Sequence, residues 1–154
     1  MPKIVFSVPS IFRYDPREEV VDIRRLFDAT RHDLKRFPVI SIHVELPRFF
    51  LDTQLFRFIH RNAVSNACKY GEPGGVVSTH IHYDTGHQLL TVDIVNTPGA
   101  HHERLVALGE TAATRVFEPG RRLHGAFGPQ DAREVSFSSG DGAWIMRKCA
   151  RILG

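Results

Sequence analysis

"HRNAVSNACKYG", residues 60–71, sets two asparagines four positions apart among alanines and closes on Lys-Tyr-Gly. Asparagine is a mediocre helix former that competes for backbone partners, so a helix with one buried face gains nothing from two of them. On a helix of about 3.6 residues per turn, Asn62 and Asn66 lie one above the other, with Lys69 following on the same side and Ala63 and Ala67 beside them. Small side chains there let a ligand or a strand come close, while two amide oxygens and an ammonium point into one space. That chemistry suits a phosphate chain carrying a magnesium ion. The stretch taken alone also admits a plainer reading, in which both asparagines cap loops and Lys69 is solvated.

Around it the chain alternates strands and helices. Asp52 is the expected N-cap of the helix, and Gly71, a residue free to take the left-handed conformation, its expected end. "EPGG" then turns the chain into two runs, "VVSTHIHY" (76–83) and "QLLTVDIV" (88–95), which read as an antiparallel hairpin across the turn-rich "DTGH". "VISIHVE" (39–45) alternates Ile40, Ile42 and Val44 against Ser41, His43 and Glu45, the mark of a strand with one buried face. "KIVFSV" (3–8) reads as a short strand. A helix is expected to open at "DPRE", with Asp15 as cap, Pro16 at the first helical position and Glu18 completing a capping box. Val20, Ile23, Phe27, Thr30 and Leu34 recur at helical spacing, and Pro38 ends the run.

From Thr97 to Ser139 the pattern gives way to glycines, prolines and arginines around two short helical fragments, "HERLVAL" and "TAATRVF". A segment of that length inside a domain marks a lid, a binding loop or a disordered segment. "GDGAWIMRKCARILG" (140–154) returns to a glycine-led helix with Ile145, Cys149 and Ile152 on one face.

With 154 residues, 42% hydrophobic and 24% charged, the composition fits one globular domain spanning 1–154. No run approaches the roughly 18 apolar residues of a membrane helix, and the start lacks a secretory pattern, so a cytoplasmic protein without membrane contact is expected. Cys68 and Cys149 form neither a metal motif nor a disulfide framework. The net charge is +3, but the basic pairs are scattered among acids without aromatic interleaving, which argues against nucleic-acid binding.

"NAVSNACKYG" followed by "EPGGVV" resembles the N box of sensor histidine kinases, whose ATP-binding half belongs to the Bergerat-fold ATPases. The family's other boxes follow in order. "DIVNTPGA" (93–100) resembles the first glycine box, D-x-G-x-G, with Asn96 in place of the Asp and one residue fewer before Gly99. "RVFEPGRR" (115–122) resembles the F box through Phe117, Glu118 and Pro119, with Gly120 in place of the second Phe. "SSGDGAWI" (138–145) resembles the second glycine box through Gly140, Gly142 and Ile145, with Ser138 in place of its first Gly. The resemblance covers roughly residues 15–154 and lacks two parts, an upstream dimerisation and phosphoacceptor segment and a final strand.

What the resemblance implies is specific. The fold is α+β, a two-layer sandwich of mixed, mostly antiparallel sheet packed on helices, with an ATP lid at about 97–139. Asn66 ligates Mg²⁺, Lys69 reaches the phosphates, and Tyr70 packs beside the adenine. Asn96 takes the base-reading place, offering a carbonyl oxygen without the charge of an aspartate. Gly99 and Phe117 belong to the nucleotide pocket. The turn at Gly140 and Gly142 offers backbone N–H groups and a helix dipole to phosphate. Asp141 between them would repel a triphosphate, and is expected to cap the helix or turn away.

Related ATPases carry a glutamate, a general base for water, where Asn62 stands here; an amide cannot take a proton. The expected chemistry is therefore transfer of the γ-phosphoryl of ATP to a histidine on a partner domain, with a response regulator downstream. A regulatory nucleotide-binding module without phosphotransfer is the other reading, favoured by Asn96, Ser138 and Asp141. His32 lies too close to Asn62 for a phosphoacceptor hairpin, and His80, His82, His101 and His102 read as surface or lid residues.

Overall fold

Asp52 is buried, and its carboxylate organises the start of the longest helix. Oδ1 accepts from the amides of Gln54 and Leu55 at 2.9 and 3.0 Å, and Oδ2 accepts from the amide of Arg17 at 2.7 Å. It is the N-cap of α2 (Thr53–Tyr70), as its position before the helical pattern predicts. The computed structural model describes residues 15–30, 39–42, 45–119 and 141–154. The expected strand at 3–8, the helix stop at Pro38, His32, Gly140 and the part of the expected lid from 120 to 139 lie outside them.

The helix expected from Asp15 begins later. Glu18–Val21 form a strand, β1, paired antiparallel with β3 (Phe49–Asp52) in the register Glu18↔Asp52 to Val21↔Phe49. The capping box at Asp15, Pro16 and Glu18 therefore does not form. Val20 and Val21 are β-branched, and extended backbone lets Val21 enter the core while both glutamates stay in water. Helix α1 (Ile23–Thr30) starts after Asp22, whose Oδ1 accepts from the Arg25 amide at 3.3 Å. Ile23 and Phe27 share its buried face, as their spacing predicts, together with Leu26.

Among the described residues the other strands form a three-stranded sheet. β2 (Val39–Ile42) runs parallel to β4 (Val77–Asp84), which pairs antiparallel with β5 (Leu89–Asn96) from Val77↔Asn96 to Asp84↔Leu89. Asp84 closes that hairpin by accepting from the amides of Gly86 and His87, and its second oxygen meets His87 Nδ1 at 2.8 Å. The core gathers Val21, Ile23, Leu26, Phe27, Leu51 and Ile81.

α3 (His102–Arg115) joins the two helical fragments read at 102–108 and 111–117 across a kink. Gly109 makes it, at φ 56° and ψ −145°, a conformation open in practice to glycine alone. α4 (Gly142–Leu153) packs on α2 and buries Cys149. Burial, reinforced by the charge of Asp52, pushes the Cys149 thiol up. No helix among the described residues is long and apolar enough to cross a membrane.

Candidate functional site

α2 presents opposite faces to the core and to the candidate site. Leu55, His60 and Val64 are buried. Asn62 and Asn66 each follow a buried residue by two positions, about 200° around the helix, and both are half-buried.

Asn62 Nδ2 donates to the carbonyl of Phe58 at 2.8 Å, one turn back on its own helix. Its Oδ1 lies 3.9 Å from where a Cβ on Gly142 would stand, so the first turn of α4 meets α2 at this asparagine. The carboxamide of Asn66, one turn further on, makes no hydrogen bond among the described residues. A half-buried amide left open is a suitable oxygen donor for a hard cation such as Mg²⁺. Lys69 is exposed, with Nζ 5.2 Å from the centre of the Tyr70 ring, and forms no salt bridge among the described residues.

α2 ends at Gly71 as expected, but not in the conformation expected of it. Gly71 was expected in the left-handed region; its φ is −79° and its ψ −177°, an extended conformation open to any residue. What requires glycine there is proximity. A Cβ on Gly71 would come 2.5 Å from Asn96 Nδ2 and 2.6 Å from the Ala67 carbonyl oxygen. Gly99 obeys the same constraint from the other side, since its Cβ would overlap the Tyr70 carbonyl oxygen and the backbone of Gly71. The segment 96–99 is thus laid directly on the end of the Asn-bearing helix, and two missing side chains permit it.

Thr97 stitches these segments together, and the sequence pattern did not single it out. Its amide donates to the Val76 carbonyl at 3.1 Å, and its carbonyl accepts from the Glu72 amide at 3.0 Å. Its Oγ1 accepts from the Val76 amide at 3.1 Å. The available signal was the pair of turns it joins, "EPGG" and "NTPG".

Phe117 closes the arrangement at α4, where the Arg147 guanidinium lies 5.7 Å from its ring centre. Asp141 begins α4 with its carbonyl accepting from the Ile145 amide at 2.9 Å, and its carboxylate makes no capping hydrogen bond. Two separate stretches, 96–99 on the end of α2 and Phe117 on α4, are therefore brought onto two packed helices that meet at Asn62 and Gly142. Gly140 lies outside the described residues. Two clefts lie elsewhere: one of about 490 Å³ beside β1 and α1, and one of about 400 Å³ between β3, β5 and the end of α4. Neither includes Asn66, Asn96 or Gly142.

His60, also unremarked in the sequence, is a core residue. Nε2 lies 3.0 Å from Thr79 Oγ1, its ring meets Phe27 edge-on at 4.6 Å, and burial lowers its pKa to about 4. It is neutral near pH 7, turned away from the asparagines, and supplies no base to their side of the helix.

These elements define a mixed α+β domain with a three-stranded sheet, a small antiparallel pair and two packed helices beside the candidate site. One solved structure that matches is the mycobacterial sensor histidine kinase MprB, with a TM-score of 0.55 and 19% identity over 90% of this chain and 81% of that one. At that identity the likeness is one of fold. No family model matches the chain, and no curated protein matches it.

Proposed function

We propose that this chain is the ATP- and Mg²⁺-binding domain of a sensor histidine kinase of Bergerat type, passing the γ-phosphoryl to a histidine on a dimerisation domain. The observation that carries the reading is the meeting of Asn62 with the glycine-led start of α4 while Gly99 and Asn96 lie on the end of the same helix. The fold likeness to a sensor histidine kinase supports it.

Asn66 would hold the metal through its open carboxamide, and bound Mg²⁺ would neutralise charge on the phosphate chain. Lys69 is free of carboxylate partners among the described residues and can turn its ammonium to the phosphates. The backbone N–H groups opening α4 aim a helix dipole at the same charge. Asn62 is tied to Phe58 and cannot accept a proton, so water is not activated and the phosphoryl waits for an imidazole brought by the partner.

One observation favours a second reading, a nucleotide-binding regulatory module. Asp141 places a carboxylate immediately before the first turn of α4 without engaging it as a cap. Titration with Mg·ATP, followed by incubation with a supplied phosphoacceptor domain, separates the two. Nucleotide binding with an acid-labile phosphohistidine on the acceptor is the result expected of a kinase. Binding without transfer favours the regulatory module, and absence of binding sinks both.

A further inference from the structure

The cleft of about 490 Å³ beside β1 and α1 has the volume of a small-ligand site, and arginines dominate its polar lining. Arg25 enters it from α1, Arg48 from the position before β3, and Arg57 from the second turn of α2. Three separate segments thus bring cations to one space. None of Asn62, Asn66, Lys69 and Gly142 lines it, so it is distinct from the candidate nucleotide site.

Two carboxylates share the lining, and each has a local partner. Glu19 Oε1 accepts from the Thr53 hydroxyl at 2.7 Å. Asp22 Oδ1 accepts from the Arg25 amide at 3.3 Å, while its Oδ2 lies 3.8 Å from Arg25 Nε, a loose pair beyond hydrogen-bond distance. Arg48 and Arg57 form no salt bridge or hydrogen bond among the described residues. The buried side chains of Val21 and Leu26 also line the cleft, and apolar surface beside a charge reduces its screening by water. Two guanidiniums without a counter-charge there favour an anion, and the planar fork of each matches the oxygens of a phosphoryl or carboxylate group.

We propose that this cleft binds a small dianionic oxyanion, a phosphomonoester or a dicarboxylate, through Arg48 and Arg57. Arg25, loosely held by Asp22, is the third cation available to it. The site does not depend on the nucleotide-binding reading, since the anion can bind where Mg·ATP does not, and the reverse.

The test is calorimetric titration of the full chain with glycerol phosphate and with succinate, at constant ionic strength and about pH 8, where a phosphomonoester is dianionic. Saturable binding by at least one of them is expected, and the one that binds identifies which source supplies the charge. R48Q and R57Q should each weaken that binding about tenfold, the worth of one charge-assisted hydrogen bond. D22N should tighten it, because the amide keeps an oxygen for the Arg25 backbone and removes the opposing charge. R61Q, on an exposed position of α2 outside the cleft, should leave it unchanged.

Absence of saturation by both anions overturns the proposal, whether or not an acidic peptide binds. Variants R48Q and R57Q that bind as tightly as the wild type overturn it, as does D22N binding no more tightly. A loss in R61Q equal to that in R57Q would show diffuse attraction to a basic surface and overturn it too.

Discussion

Asn62 and Asn66 are chemically identical and sit one turn apart, yet the chain uses them differently. Asn62 is bound to Phe58 and fills the contact with α4, whereas the Asn66 carboxamide makes no hydrogen bond among the described residues. Asn66→Ala should abolish Mg²⁺-dependent nucleotide binding and leave ligand-free stability within about 0.5 kcal/mol, the usual range for residues outside packed or bonded positions. Unchanged nucleotide affinity in the variant would show that the metal lies elsewhere. His60 predicts a pH dependence of the fold. Its folded pKa of about 4 lies below the ordinary 6.5, so the unfolded chain binds the proton first. Stability is therefore intact above pH 6.5 and falls progressively between 6.5 and 4, by on the order of 3 kcal/mol in total. His60→Gln should flatten that part of a urea-denaturation profile measured against pH; a profile as steep as the wild type's would place the titrating group elsewhere.

At the scale of elements, two glycines make opposite predictions. Gly99 lies against the backbone at the end of α2, where nothing can yield without moving the helix. Gly99→Ala should cost about 1–3 kcal/mol by chemical denaturation, the range for overpacking. Gly142→Ala meets only the Asn62 oxygen at van der Waals distance and adds a better helix former, so stability should hold or rise by up to about 1 kcal/mol. Equal costs at both sites would mean that the 96–99 segment does not rest on α2.

The limits of reading the chain locally show in the same elements. The hairpin, the central helix with its Asp52 cap, and the glycine-led last helix were legible because turn residues, caps and periodicity all agreed. The first helix was misread because Asp-Pro-Arg-Glu is a sound local start, and Val20 fits a helical stripe as well as a strand. Pairing with Phe49–Asp52 decided for the strand, and a partner about 30 residues away leaves no mark on local pattern.

For the molecule as a whole, a nucleotide that binds only the folded state must stabilise it. At 100 times its dissociation constant, Mg·ATP should add about 2.7 kcal/mol and raise the melting temperature accordingly, with magnesium required. A melting curve indifferent to Mg·ATP would contradict the proposed function. The antiparallel hairpin, the Asp52 cap and the helical face shared by Asn62, Asn66 and Lys69 were determined by sequence alone, since each depends on residue type and short spacing. Tertiary structure alone decided that Gly71 is a glycine for proximity and not for its φ angle, that His60 belongs to the core, and that Thr97 binds two turns into one unit. The physical reason is common to all three. Contact distance, burial and hydrogen-bond partnership are properties of chain segments brought together in space, and no residue carries them in its own neighbourhood of sequence.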